Sequence, residues 1–376
     1  MRLTPAQALD LARDASLAAL AARAADVCRA RHGDEVRTYV VERNINYTNV
    51  CVARCSFCAF SVVPGDPRAF VLALDELSAK VDELLALGGT QVLLQGGLNP
   101  ALDLAWCEAM LRGLRERYPG LHLHAFSPVE VAWLARRESL RVVTVLERLR
   151  AAGLDTLPGG GAEILTDRAR RFASPGKCSA GEWLDVMACA HALGIYTTAT
   201  MMFGQGETLA ERIEHLDALR RLQDDSLARG KGRFTAFTAW PFQPGQTRLG
   251  RRLRETPGPD GAPWQPAGAV EQLRMTALAR LYLDNLDNIQ ASWVTQGPAI
   301  GQLSLHCGCN DLGSLMIEEN VVSAAGTTHR LSLAELVDLI RTAGFRPVQR
   351  DCYYRPCRPR DDLSSDSSTY ADTPCV

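Results

Sequence analysis

The stretch Thr38-Tyr-Val-Val-Glu-Arg-Asn-Ile-Asn-Tyr-Thr-Asn-Val-Cys-Val-Ala-Arg-Cys-Ser-Phe-Cys-Ala-Phe60 runs from a strand-like segment, Thr38 to Asn46, directly into three thiols, Cys51, Cys55 and Cys58, within eight residues. This is the pattern of a metal site with one ligand missing. A four-iron cluster that only transfers electrons takes four Cys thiolates, and the nearest other cysteines, Cys28 and Cys107, lie outside the loop. One iron is then open to a substrate or cofactor, by the reasoning that separates open catalytic zinc sites from closed structural ones. A zinc knuckle and three unrelated core thiols are the competing readings. Zinc wants a fourth ligand at short spacing, and no His stands between His32 and His122.

Outward from this loop, strand-like and helix-like pieces alternate, which favours a parallel sheet with crossover helices. Helical spacing over Leu74 to Leu87 ends at Gly88-Gly89 and leads into the buried-type strand Gln91 to Gln95. A helix near Leu104 to Arg117 precedes a strand at Leu121 to Phe126. Helices around Val129 to Leu134 and Val143 to Ala152 precede a short strand near Thr156. Trp183 to Leu193 is helical before the strand Tyr196 to Met202. Glu207 to Gln223 is the next helix, Phe234 to Trp240 the sixth strand and Ala269 to Leu286 a further helix. Ile289 to Val294 and the Cys307 region are weaker seventh and eighth strands, and Leu333 to Ala343 is the last helix. The count suits an α/β fold of the (βα)8 TIM-type barrel class, with residues 1–36 as a helical N-terminal cap, 37–350 as the barrel and 351–376 as a C-terminal extension. Its end, Asp361 to Val376, is rich in Ser, Asp, Thr and Pro and is expected to be disordered.

Composition restricts the partners. A chain of 376 residues with 47% apolar and 22% charged content has ample core, and a formal net charge of -2 offers no global field for nucleic acid or an anionic membrane. Twelve cysteines in a long chain that opens on Met1-Arg-Leu-Thr-Pro-Ala-Gln, with no apolar signal segment, indicate a reducing, cytoplasmic setting. No stretch reaches the length of a membrane span.

The spacing Cys-x3-Cys-x2-Cys resembles the radical S-adenosylmethionine (SAM) superfamily. The resemblance implies a 4Fe-4S cluster on Cys51, Cys55 and Cys58 whose open iron holds SAM. Barrel active sites are built from the loops after the strands, and the distinctive segments all fall there. Gln95-Gly-Gly-Leu-Asn99 corresponds to a Gly-Gly-Glu-like stretch that contacts the SAM amino group. Leu98 stands where the acid belongs, so the backbone of Gly96 and Gly97 is the expected contact. Pro158-Gly-Gly-Gly-Ala-Glu-Ile-Leu165 is expected to cradle a ligand, with Glu163 either accepting from the SAM ribose hydroxyls, as a carboxylate does for a dinucleotide ribose, or capping a helix. Met201-Met-Phe-Gly-Gln-Gly-Glu207 resembles the adenine-contacting segment, which makes Met202 and Gly204 cofactor candidates together with Phe57 beside the cluster.

A closer resemblance covers about residues 36 to 350. Arg43 to Cys51, Cys58-Ala-Phe60, His124-Ala-Phe-Ser-Pro128, Leu157 to Leu165, Trp240-Pro-Phe-Gln-Pro-Gly245, Gln290-Ala-Ser-Trp-Val-Thr-Gln-Gly297 and Glu318 to Gly326 are similar to the cyclic dehypoxanthinylfutalosine synthase family of the futalosine route to menaquinone. Two departures are Ser61, where an aromatic is expected, and His306-Cys-Gly-Cys-Asn310, which replaces an apolar, thiol-free version. The resemblance implies hydrogen abstraction from the fourth ribose carbon of dehypoxanthinylfutalosine, addition of that carbon to the benzoate ring, and loss of an electron and a proton. It also implies a low-potential electron donor such as flavodoxin or ferredoxin. An aminofutalosine-synthase-like transferase and a non-enzymatic iron-sulfur or zinc module are the other readings. Arg43, Ser127 and Gln296 are candidates by type for the substrate carboxylate, and His124, Glu130 and Glu319 for the base. Cys307, Cys309, Cys352 and Cys357 lack a strong local cluster signature and are read as buried free thiols.

Overall fold

The computed structural model describes residues 2–255 and 263–357. The chain beyond 357, which contains the segment expected to be disordered, lies outside the described residues. Ten strands form one sheet: β1 (Val36–Val40), β2 (Glu42–Asn46), β3 (Gln91–Gln95), β4 (His122–Ala125), β5 (Thr156–Leu157), β6 (Tyr196–Phe203), β7 (Phe234–Pro241), β8 (Asn288–Gln290), β9 (Asp311–Ser314) and β10 (Arg346–Gln349). Their order is β10-β1-β9-β8-β7-β6-β5-β4-β3-β2 and every ladder is parallel. β1 and β2 stand near opposite ends of that order, yet only Val41 separates them in the chain. The lower half of this one long strand pairs with β9, Thr38 opposite Asp311, and its upper half with β3, Glu42 opposite Gln91. The sheet therefore bends round into an eight-strand (βα)8 barrel, with β10 added outside β1.

Helices follow the strands as their periodicity and caps dictate. Capping boxes start Ala180–Ala192 (Ser179, Glu182), Leu209–Arg229 (Thr208, Glu211) and Leu333–Thr342 (Ser332, Glu335). Leu74–Ala86 stops at Gly88 with φ +78°. The N-terminal helices Pro5–Asp14 and Leu17–His32 lie on the outside of the barrel, where Leu20 and Ala24 pack with Ala277 and Arg274 donates to the carbonyls of Ala12 and Ala15.

Two expectations need correction, and one strand was not expected. The strand foreseen over Ile289 to Val294 ends at Gln290, and Trp293–Gln296 is a helical turn anchored by Trp293 Nε1 donating to the Ser314 carbonyl at 3.0 Å. The eighth barrel strand is Asp311–Ser314 and not the Cys307 region. Cys307 sits in a turn after the helix Pro298–Ser304, where Gly308 at φ +99° lies against Arg280, whose Nε donates to the Gly308 carbonyl. β10 went unforeseen because it contains Pro347, which removes a ladder donor; proline is tolerated because this strand is the sheet's edge.

Barrel interiors are ordinarily filled with Val, Ile and Leu. Here the inward positions, two apart along each strand, mix polar with apolar side chains: Glu42, Asn44 and Asn46, Gln91, Leu93 and Gln95, His124, Thr198, Thr200 and Met202, Ala236, Thr238 and Trp240, and Gln290 line a cavity of about 450 Å³. The alternate positions, such as Ile45, Val92, Leu94 and Leu123, are fully buried in the main core. The mixed interior makes room for a ligand.

Candidate active site

The cysteine loop leaves β2 and is pinned from several sides. Cys51 N donates to Val62 O at 2.9 Å, Val52 N to Leu98 O at 3.0 Å, and Ser56 donates through N and Oγ to Ala173 O at 2.9 and 2.7 Å. Two glycines let neighbouring loops close on it: a Cβ at Gly97 would stand 2.2 Å from Val50 O, and one at Gly176 would stand 2.4 Å from Ala53 O. Cys51, Cys55 and Cys58 are free thiols lining the same cavity. Burial pushes the Cys55 thiol up to about 12, with Lys177 opposing, so it needs the charge of bound iron to become a thiolate. Among the described residues no three His, Cys, Asp or Glu side chains converge as the ligands of a single ion do. Three free thiols lining one cavity are the donor set from which a four-iron cluster would be held.

Beside this loop lies a second set of groups. Glu130, at the start of Pro128–Arg137 and fully buried, accepts from Tyr47 OH at 2.6 Å, Ser127 Oγ at 2.6 Å and Gly96 N at 3.0 Å. Burial raises its carboxyl to about 7 against these donors. The arrangement fixes the Gly96-Gly97 loop and occupies both oxygens, so Glu130 and Ser127 position backbone more than they offer a base or a carboxylate donor.

Glu163 adopts a left-handed φ of +41° in the glycine-rich loop. Its Oε1 accepts from Lys177 Nζ at 2.7 Å, while the buried Oε2 has no hydrogen-bond partner and lies 3.8 Å from Arg170 Nη1. Burial works against the Lys177 ammonium, but Cys55 and Glu163 beside it hold it above the usual lysine range. Lys177 Nζ also lies 4.9 Å from the centroid of Phe57. Phe57, Lys177, Gly160, Met202 and the three cysteines thus share one end of the cavity. An orphaned carboxylate oxygen beside glycines whose Cβ positions are filled by neighbours, as Gly160 is by Gln95 Nε2 at 2.4 Å, fits a hydroxyl-bearing cofactor.

The remaining candidates divide. His124 lines the cavity with Nδ1 2.7 Å from Thr156 Oγ1, and burial, reinforced by His122 and Arg350, lowers its pKa to about 3, leaving it neutral. Glu319 also lines the cavity, but its oxygens accept from the amides of Val321, Val322 and Ser323 at 2.8 to 3.0 Å, so it caps a 3-10 turn. Arg43 points away from the interior, as an odd position of β2 must, and its guanidinium is held by Glu83, Glu318 and the Lys80 carbonyl. Gln296 and Gly204 are also absent from the cavity wall. Gly204 instead belongs to a turn in which Glu207 accepts from its amide at 2.6 Å. Reading by residue type missed Lys177, Tyr47 and Asn44, and missed Arg350 and Tyr354, which with the buried thiol Cys352 close the cavity floor.

Comparison with known proteins gives a consistent picture. Residues 45–219 match the model of the radical SAM superfamily, and residues 231–362 match that of the CofH/MqnC C-terminal region. A cyclic dehypoxanthine futalosine synthase of Streptomyces coelicolor is 44% identical over 97% of this chain and 88% of its own. One from Halalkalibacterium halodurans is 41% identical over 96% and 93%. A 5-amino-6-(D-ribitylamino)uracil–L-tyrosine 4-hydroxyphenyl transferase of Methanococcoides burtonii is 39% identical over 89% and 90%. In fold, methylornithine synthase superimposes with a TM-score of 0.69 at 19% identity, covering 92% of this chain and 94% of that one.

Proposed function

Because this chain belongs to the radical SAM family that contains the cyclic dehypoxanthine futalosine synthases, we propose that it cyclises dehypoxanthinylfutalosine in menaquinone biosynthesis. The observation that carries this reading is one barrel cavity lined both by the three thiols and by the inward Glu42, Asn44, Gln91 and Gln95 side chains. When bound, the 4Fe-4S cluster and SAM supply the 5′-deoxyadenosyl radical that starts the reaction. The substrate's fourth ribose carbon loses its hydrogen and adds to the benzoate ring, which regains aromaticity by losing an electron and a proton. Cys51, Cys55 and Cys58 would hold the cluster. Gly96, Gly97, Phe57, Met202 and Glu163 would hold SAM.

The chain's own contribution is placement and exclusion of water. Gln91 Oε1 and Asn44 Oδ1 are buried acceptors without partners in the cavity wall. They suit sugar hydroxyls, since an unmet buried acceptor costs about 1–3 kcal/mol. Trp240, Phe242 and Met316 supply apolar wall, and Arg350, Cys352 and Tyr354 seal the floor. A low-potential donor of the flavodoxin or ferredoxin type would feed the electron. We place the protein in the cytoplasm, a setting that keeps its thiols free; no helix among the described residues is long and apolar enough to cross a membrane.

The deciding experiment uses substrate deuterated at the fourth ribose carbon. With anaerobically reconstituted protein, SAM and reductant, the label should appear in 5′-deoxyadenosine, and the product should be a spiro-fused ring without an adenosyl group. Label found only in solvent, or a product retaining adenosine, would overturn the cyclase. The hydroxyphenyl transferases are a second reading, supported by their 39% identity; turnover of the aminouracil and tyrosine named in theirs would favour it.

Glu163→Gln tests the cofactor side. It removes the charge that Lys177 pairs with and weakens acceptance at the orphaned oxygen. SAM affinity should fall about tenfold, on the order of 1.4 kcal/mol, with iron content unchanged. Equal affinity by equilibrium dialysis would reassign Glu163 to loop geometry.

A further inference from the structure

β4 carries His122 and His124, two residues apart and so on one face of the strand, and Thr156 of β5 is the register partner of His124. The Thr156 hydroxyl lies 2.7 Å from His124 Nδ1, 2.7 Å from His122 Nε2 and 3.4 Å from Cys352 Sγ. A hydroxyl has one proton to donate and two lone pairs to accept with. It can accept from one imidazole and donate to the other, with the second lone pair open to the Cys352 S–H, and the tautomers of the two rings set the direction. The ends of the chain of bonds differ. His124 lines the cavity, whereas His122 is half-buried at the first residue of β4, at the barrel end opposite the cysteine loop, edge-on to the Tyr353 ring at 5.1 Å.

We propose that His124, Thr156 and His122 form a proton relay that carries the ring proton out of the cavity through the N-terminal end of the barrel. This rests on the cyclisation reading, in which the ring gives up one electron and one proton. The electron passes to a one-electron acceptor of the iron-sulfur class. The ring C–H proton goes to His124 Nε2, which has no hydrogen-bond partner among the described residues; His124 Nδ1–H passes to Thr156 Oγ1; the Thr156 hydroxyl proton passes to His122 Nε2; and His122 releases its Nδ1 proton to solvent. Reorientation of the hydroxyl and tautomer exchange at both rings reset the path. The surrounding charges suit this direction. Burial holds both rings below the usual imidazole range; at His122 Asp155 and Asp351 work against that while Arg115 and Arg355 add to it, whereas at His124 the neighbouring His122 and Arg350 only add to it. The carboxylates of Glu130 and Glu319 already hold three donors or three amides each.

The test is the ratio of cyclic product to 5′-deoxyadenosine in reconstituted Thr156→Val and His122→Gln variants. Valine keeps the shape of Thr156 without the hydroxyl, and Gln keeps an acceptor that cannot take a proton. Both should form labelled 5′-deoxyadenosine from deuterated substrate at close to the unmodified rate, while cyclic product per 5′-deoxyadenosine falls at least about tenfold, the low end of what a positioned base provides. In the substrate-free protein, ¹⁵N imidazole NMR should show a hydrogen-bonded Nδ1–H on His124 that Thr156→Val removes. An unchanged product ratio in either variant overturns the relay, and so does loss of 5′-deoxyadenosine and product together in His122→Gln, which would mark a structural role. If Thr156→Val does not fold, His122→Gln decides alone. Absence of cyclic product from the unmodified protein would instead sink the cyclase reading, and the relay with it.

Discussion

Cys55→Ala should yield a folded protein that holds no four-iron cluster and makes no product, and Cys51→Ala and Cys58→Ala should do the same. The unmodified protein should carry about four irons per chain, and each variant well under one. The size of the effect follows from the donor set, since three thiols on one cavity wall leave no spare ligand to compensate. The fold should survive because the loop is fixed by backbone hydrogen bonds and by the Gly97 and Gly176 contacts, none of which involves a thiol. Losing one small buried sulfur costs on the order of 1 kcal/mol. Iron analysis and circular dichroism on the same samples separate the two effects. A variant retaining four irons and SAM cleavage would remove the basis of the catalytic site.

Arg350→Met should destabilise the protein by about 3–5 kcal/mol, the usual result of removing one partner of a buried ion pair. Arg350 binds Asp311 through Nε at 2.7 Å and Nη2 at 3.0 Å, with both side chains almost fully buried, and it reaches the Asp351 carbonyl and Tyr354 OH as well. The attraction of Asp311 holds the guanidinium charged in spite of its burial. Removing it leaves the Asp311 carboxylate with Thr38 Oγ1 and Gly313 N as donors but without a counter-charge, and loosens the segment carrying Cys352 and Tyr354. Denaturant unfolding monitored by tryptophan fluorescence reads the loss. A change below about 1 kcal/mol would mean that water already reaches Asp311. Pairing Arg350→Met with Asp311→Leu should recover much of the stability, because the cost lies in the orphaned charge.

Much of this was legible in the chain. The three thiols after a strand marked the loop that lines the cavity, and Leu104–Arg117 and Gln91–Gln95 match the bounds read from periodicity, whereas the helix read as ending at Gln223 runs on to Arg229 and the one read as far as Leu286 stops at Tyr282. The polar part of the interior was harder to see. Gln91-Val-Leu-Leu-Gln reads as a buried strand whichever way it faces, and only its pairing with β2 and β4 turns Gln91 and Gln95 inward. Residue type pointed to Glu130 and Glu319 as bases, but function depends on which donors the fold aims at a carboxylate, and those come from Tyr47, Gly96 and the Val321–Ser323 amides. Arg43 failed on parity, one position out of step with Glu42 and Asn44. Lys177 stands 14 residues from Glu163 and Arg350 39 from Asp311, beyond the reach of a helical or strand repeat, so periodicity carried no sign of either pair.

The splitting of the first strand at Val41 has a consequence for how the molecule is made. Its upper half finds its partner as soon as β3 is synthesised, but its lower half must wait for β9 and β10, about 300 residues later. At ribosomal speeds of about 5–20 residues per second that is roughly 15 to 60 s. Throughout that interval the nascent chain presents Val36–Val40 as an open edge, the kind of surface that templates aggregation, and the ring is completed by long-range pairing of the slow-forming kind.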